Sequence, residues 1–206
     1  AATYWPWLQV VDPNSGELVF VPASTMVPGV YAFTDGAAAP WFAPAGNKRG
    51  ILGSGTVGER KLAQSTRDDL YTSKVNPITF INGIGAVVYG QKTLQTKASA
   101  LDRINVRRLL IELKSYLEQI AGTLVFEQNS IVTRNSFINK VTPYLEKIQQ
   151  GQGIYAFKVV MDDTNNTPDV IDRNELIGQV YIQPTKTAEF IYLDFNITPT
   201  GVAFPD

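Results

Sequence analysis

The chain has 206 residues, 44% hydrophobic and 18% charged, with a formal net charge of -1 and neither histidine nor cysteine. That is enough material for one sizeable core, or one core and a smaller lobe. It excludes disulfides, thiolate zinc sites, Ser-His-Asp triads and Cys-His pairs, and it leaves no global basic field for nucleic acid or an anionic membrane.

No stretch reaches the ~18 consecutive apolar residues of a membrane-spanning helix. The opening, Ala1 to Val11, carries Pro6 and lacks a charged leader region, so it does not read as a signal peptide. It begins as if inside an extended segment, which predicts that the chain is the later part of a longer protein.

Residues 1–50 are rich in Pro, Gly, Ala and aromatics. Leu8 to Val11 and Leu18 to Val21 read as short strands around an Asp12-Pro13-Asn14-Ser15-Gly16 turn. Pro22, Pro28, Pro40 and Pro44 then predict a loop-heavy region that completes a discontinuous domain. Thr66 to Lys74 predicts a short polar helix with Asp68 and Asp69 in its first turn, where negative charge suits the helix dipole. Ala86 to Tyr89 predicts a buried strand.

The strongest periodicity runs from about Ala100 to Ile120. Val106, Leu109, Leu110, Leu113, Leu117 and Ile120 fall on one helical face, and Arg108, Glu112, Ser115 and Gln119 lie opposite. Arg108 with Glu112, and Lys114 with Glu118, have the spacing of helical ion pairs, and Gly122 should end the helix. A second amphipathic helix is expected from about Asn135 to Gln149, with Phe137, Val141, Leu145 and Ile148 inward. Pro143 should bend or divide it, and Gly151 and Gly153 should close it.

Ile154 to Met161 follows as a strand, then an acidic turn at Asp162 to Asp172. A hairpin is expected from Leu176 to Gln183 and Glu189 to Ile197. Its second strand alternates cleanly: Ile191, Leu193, Phe195 and Ile197 on one side, Tyr192, Asp194, Asn196 and Thr198 on the other. The expected fold is α+β: an antiparallel or mixed β-sheet with two main amphipathic helices packed on it, and an extended C-terminal arm. The expected division is 1–50 as the loop-rich β segment, 51–197 as the core domain and 198–206 as the arm. A hydrophobic extended tail either tucks in or is lent to a neighbour as an added strand.

Three clusters invite chemistry. Gly53-Ser54-Gly55-Thr56-Val57-Gly58 matches G-x-G-x-x-G, but that motif needs a preceding strand and a following helix, and loop residues Gly46 to Gly50 precede it. Glu59 and Arg60 stand where a P-loop requires Lys and Ser/Thr. Asp162, Asp163, Asn165, Asn166, Asp169, Asp172 and Glu175 offer oxygen ligands, yet Thr167 and Pro168 break the EF-hand pattern. Nothing sets two of these carboxylates across a sugar cleft as a glycosidase pair. A solvated loop, or an acidic patch for a basic partner, fits better. Arg103, Arg107 and Arg108 crowd the start of the long helix beside Lys97, against the dipole. The patch is small and lacks interleaved exposed aromatics for nucleic acid. Pairing with acidic groups on a neighbouring copy is the remaining reading, with a solvated helix face as its bland alternative.

The ordered runs Pro6-Trp7-Leu8-Gln9-Val10-Val11-Asp12-Pro13, Pro28-Gly29-Val30-Tyr31-Ala32, Pro40-Trp41-Phe42-Ala43-Pro44-Ala45-Gly46 and Tyr89-Gly90-Gln91-Lys92-Thr93-Leu94 carry a resemblance. Asp102-Arg103-Ile104-Asn105-Val106-Arg107-Arg108-Leu109, Asn165-Asn166-Thr167-Pro168 and Val170-Ile171-Asp172-Arg173-Asn174 extend it. Together they resemble the tail sheath proteins of contractile-tailed bacteriophages, over essentially the whole chain. The resemblance implies a non-enzymatic structural subunit of the virion, assembled in the host cytoplasm, without cofactor or metal. It implies stacked hexameric rings around a tail tube, contacts to baseplate and tail terminator, and none to nucleic acid or membrane. It also implies terminal arms that add strands to neighbouring sheets. The expected subunit-contact residues are therefore Arg103, Arg107, Arg108, Asp162, Asp163, Asp169 and Asp172 on the body, and Thr198, Thr200, Val202 and Phe204 on the arm. The resemblance is to the later part of such proteins, so the family's earlier domains and N-terminal arm are expected upstream of Ala1. A sheath from a related bacteriocin or secretion device, and a nucleotide-binding enzyme using Gly53 to Gly58, are the alternatives.

Overall fold

The computed structural model describes residues 1–53 and 56–193. Strand β1 (Thr3–Trp5) leads into β2 (Leu8–Val11) and β3 (Leu18–Val21). The β2–β3 hairpin is antiparallel, with Leu8 opposite Val21 and Val11 opposite Leu18. Its turn closes as expected: Asp12 N–H donates to Glu17 O (2.8 Å) and Asp12 Oδ2 accepts from the Ser15 hydroxyl (2.9 Å).

The first part of the Pro-rich stretch that follows is not loop, although residues 38–45, with Pro40 and Pro44, are. It forms helix α1 (Ala23–Ala37) with Pro28 inside. Its buried residues are Ala23, Val27, Val30 and Thr34, a helical stripe that Pro28 and two glycines obscure in the sequence. Pro28 itself is exposed, so the carbonyl it leaves unpaired lies toward water. A single turn, α2 (Gly46–Arg49), and a two-residue strand, β4 (Val57–Gly58), come next. Helix α3 (Gln64–Thr72) starts two residues earlier than expected, so Asp68 and Asp69 sit beyond its first turn.

Strands β5 (Val75–Ile81) and β6 (Gly85–Val88) pair antiparallel, and β1 adds parallel to β5. A second small sheet has the order β3-β2-β4. These elements enclose one core: Leu8, Ala23, Val27, Val30, Leu52, Ile78, Ala86 and Val88. That core draws on residues either side of position 50.

A 3₁₀ turn (Ala100–Asp102) precedes the long helix α4 (Ile104–Gly122), and α5 (Ile131–Gln150) follows. Both apolar faces are as the periodicity predicts, with Leu109, Leu113 and Ile120 buried on α4, and Phe137, Val141, Leu145 and Ile148 buried on α5. Pro143 does not divide α5; it is exposed, as is Asn139, whose carbonyl loses its helical donor. The Ser130 hydroxyl caps the helix by accepting from Thr133 N–H. The helices run antiparallel, because Glu112 meets the Tyr144 hydroxyl while Tyr116, one turn further along α4, donates to Lys140 O, one turn back on α5; the Tyr116 and Tyr144 rings stack (centroids 3.6 Å apart).

Strand β7 (Ile154–Val160) pairs antiparallel with β8 (Gln179–Pro184), and the short helix α6 (Pro168–Asp172) lies between them in sequence. These strands and α4–α5 enclose the second core. The fold is thus α+β, but among the described residues its sheet is split into three small ones rather than one. The expected hairpin is also different. Its first strand pairs with β7, and residues 189–193 form no strand, because Glu189 is drawn to the other core; the rest of the expected second strand, to Ile197, lies outside the described residues.

Trp41 joins the two cores. Its indole packs against the second core, and its Nε1–H donates to Gly151 O (2.7 Å). Gly151 and Gly153 make room for it: a Cβ on either would stand 2.9 or 3.0 Å from the ring.

Candidate functional site

The expected contact residues lie in two separate places. Arg103, Arg107 and Arg108 occupy the start of α4. The acidic loop lies by the start of α5, at the other end of the antiparallel pair. A helix of α4's length spans about 28 Å, so the two patches cannot meet within one copy.

Of these three arginines, only Arg107 is both exposed and without an ion pair among the described residues. Arg108 is not opposite the packed face as solvated charge. It reaches across to the first core, pairs with Asp35 and lies over the Tyr31 ring (4.9 Å). Its expected partner, Glu112, instead accepts from the Tyr144 hydroxyl (3.3 Å). Lys114 and Glu118 do pair, at 3.6 Å. Tyr31 shares a hydrogen bond with Tyr4, and burial pushes both phenols up, so the pair stays neutral.

Arg103 is the N-cap residue of α4 and is tied to two carboxylates: Asp102 (3.0 Å) and Glu189 (2.6 Å). They set negative charge beside a helix start that arginines alone would oppose. Burial works to lower the Arg103 guanidinium, but Glu189 outweighs it and raises the group overall. Glu189 also accepts from the Tyr71 hydroxyl (2.8 Å) and from Gln91 Nε2 (3.0 Å). Burial, then the Glu189 charge, push the Tyr71 phenol well up, which keeps it a donor. Lys92 lies 4.0 Å from the Tyr71 ring and donates to Tyr71 O (2.8 Å). Burial, then Arg103, pull its ammonium down.

The acidic loop is organised by Asn166, which is buried. Its side chain donates to Ile177 O (2.9 Å) and accepts from Ile177 N–H (2.8 Å). Asp162 accepts from Thr164 N–H and the Thr164 hydroxyl, which hold its carboxyl below the usual range. Asp163 pairs with Arg134, an almost fully buried arginine on α5. Asp169 and Asp172 are exposed and have no ion pair among the described residues. Thr198, Thr200, Val202 and Phe204 lie outside the described residues.

Sequence reasoning missed Glu189, Asp35, Arg134 and Tyr71. Only Glu189 carried a signal: it is the sole acid between Glu175 and Asp194, in an otherwise apolar and neutral-polar stretch with Lys186. The Gly53–Gly58 run leads into β4, not a helix, so no helix N-terminus stands behind it to meet a phosphate.

An open groove of about 1240 Å³ lies beside β8. Leu110 and Leu117 of α4 form one wall, and Val180 and Ile182 of β8 the other; Phe126 stands at its lip. β8 pairs with β7 alone among the described residues, so its other edge opens onto this groove. Phe126 is fully exposed with φ of 71°, and Val125, Ile131 and Val132 beside it are more than 60% exposed.

Residues 96–198 match the phage tail sheath C-terminal domain family. The chain is 41% identical over 187 residues to the tail sheath protein of Vibrio phage KVP40, and 40% over 187 residues to that of Enterobacteria phage T4. Each match covers 91% of this chain and 28% of the relative, so the chain spans under a third of their length. Among solved structures, the helical sheath of the anti-feeding prophage in its contracted state superposes with a TM-score of 0.83 at 27% identity, over 95% of this chain and 55% of that one.

Proposed function

Because the chain belongs to the phage tail sheath C-terminal domain family, we propose that it is the part of a contractile sheath subunit that links copies into a polymer. The observation that carries the reading is the groove beside β8. A strand edge unpaired among the described residues faces it, and Leu110 and Leu117 lie under the space an added strand would cover. A strand entering there would gain main-chain hydrogen bonds from β8 and bury alternate side chains against α4.

The donor is the C-terminal arm of a neighbouring copy, Thr198 to Asp206, with Thr200, Val202 and Phe204 contributing side chains. A backbone ladder suits a polymer that shortens, because the ladder persists while the linker before it bends. Body contacts add specificity: Arg107 of one copy meets Asp169 or Asp172 of the next, since these charges sit at opposite ends of the helix pair. Each exposed pair is worth only ~0–1 kcal/mol, so discrimination comes from repetition along the sheath.

In this reading the whole protein forms stacked hexameric rings around a tail tube, between a baseplate and a tail terminator. It assembles in the host cytoplasm and drives the tube through the envelope without catalysis. A sheath of an injection device is the second reading, favoured by the prophage neighbour, but identity to the phage sheaths is higher. Deleting Thr198 to Asp206 should abolish sheath assembly, seen by electron microscopy, while melting stays that of the intact chain. Sheaths of ordinary length from the deletion would refute strand donation.

A further inference from the structure

We propose that Glu189 is a positioning residue that keeps the C-terminal arm out of its own subunit's groove and so commits it to a neighbour. The inference rests on the strand-donation reading above. The groove lies beside β8, and the chain that leaves β8 is the nearest strand available to fill it. The short route would be a hairpin: a few turn residues after Pro184, then residues from about 189 running back along β8. Short hairpin closure has the smallest loop entropy cost, so self-filling is the default outcome for this sequence.

The structure shows the chain taking another path. Thr185 N–H donates to Gly153 O (3.1 Å), which carries the backbone past the end of the sheet. Gln91, from the first core, then donates to the Thr187 hydroxyl. Glu189 is held there by three donors from three separate segments: Tyr71 on α3, Gln91 after β6, and Arg103 at the start of α4. Its side chain is only 15% exposed. Residues 185–189 thus strap the second core to the first, and the arm's root is fixed away from the β8 edge. Beyond the clamp, Phe190, Ile191, Tyr192 and Leu193 are all exposed.

A carboxylate with three donors is hard to release, because each donor would lose a charge-assisted hydrogen bond in a poorly hydrated place. A return to the chain's own groove must then start from the far side of the clamp, through a longer loop. A neighbour's groove carries no such constraint.

The chain has no cysteine, so reporter pairs can be introduced cleanly: Gln183→Cys on β8 with Phe190→Cys, which a self-hairpin would set beside it, or with Val202→Cys on the donated arm. Oxidation during assembly should give mostly intermolecular bridges in the otherwise unaltered chain. With Glu189→Ala, which removes all three hydrogen bonds, the ratio of intramolecular to intermolecular bridges should rise more than about tenfold, the factor for losing a single charge-assisted hydrogen bond. Glu189→Gln keeps size and some hydrogen bonding, and Arg103→Ala removes one donor; both should give intermediate ratios, and they carry the test if Glu189→Ala does not fold. Intermolecular bridges whose ratio is unmoved by all three changes would overturn the clamp and leave strand donation standing. Intramolecular bridges already dominant in the unaltered chain would also overturn it. No bridge of either kind in any background would sink strand donation, and the clamp's role with it.

Discussion

Gly153→Ala is the most direct test of how the two cores are joined. Gly153 is buried at the start of β7, its N–H bound to Ile148 O and its carbonyl to Thr185 N–H, so its backbone is held from both sides. An added Cβ would lie 2.5 Å from Ile148 Cγ2 and 3.0 Å from Trp41 Cγ. Ile148 is 1% exposed and stands on α5, so neither it nor the indole can step aside freely. Overpacking of this kind costs about 1–3 kcal/mol. For a chain of this size each kcal/mol lowers the melting temperature by roughly 2–4 °C, so the variant should melt about 2–12 °C lower. Displacement of Trp41 from its Gly151 hydrogen bond should also redden its emission. Gly29→Ala is the matched control. Gly29 is exposed within α1, with nothing within 4 Å of an added Cβ, so alanine should raise stability by about 0.5–1 kcal/mol through helix propensity. Calorimetry on both variants decides the matter. A Gly153→Ala protein that melts with the unaltered chain would refute a tight Trp41 junction.

The two neighbouring arginines should separate by role. Arg107→Glu should impair polymerisation, measured by sedimentation, and leave melting unchanged, whereas Arg108→Glu should lower melting because Asp35 and Tyr31 lose their partner. Equal melting of both would contradict the Arg108 contact. The acidic loop should respond to pH in one direction. The Asp162 carboxyl is held below its ordinary value of 3.8 by Thr164, so its contribution is present above about pH 4 and lost as pH falls through the lower folded value. Thr164→Val should bring the Asp162 titration, followed by NMR, back toward the ordinary value; an unmoved titration would remove Thr164 as the cause.

What the sequence could determine by itself was local. The 3.6-residue spacing of Leu109, Leu113 and Ile120, and of Phe137, Val141, Leu145 and Ile148, defined two helices and their buried faces, because periodic burial is written along one element. The turn residues Asp12 to Gly16 defined the first hairpin for the same reason. Helix α1 failed that reading although Ala23, Val27, Val30 and Thr34 carry the period: Pro28 and Gly29 weigh against a helix locally, and burial of the stripe against the first core overrode them. The contacts that join the molecule were beyond reach. Asp35 meets Arg108 across 73 positions, Tyr71 meets Glu189 across 118, and Trp41 meets Gly151 across 110. Such pairs leave no periodic trace, since each depends on where two separately folded cores come to rest. The same holds for β1, parallel to β5 at a distance of 72 residues, Thr3 against Val75, and for the groove, which exists only because β8 pairs on one side and α4 extends beyond it. Composition and spacing decided which segments are helix, strand and turn; packing of the two cores decided which charges are already satisfied, and which edge is left for a partner.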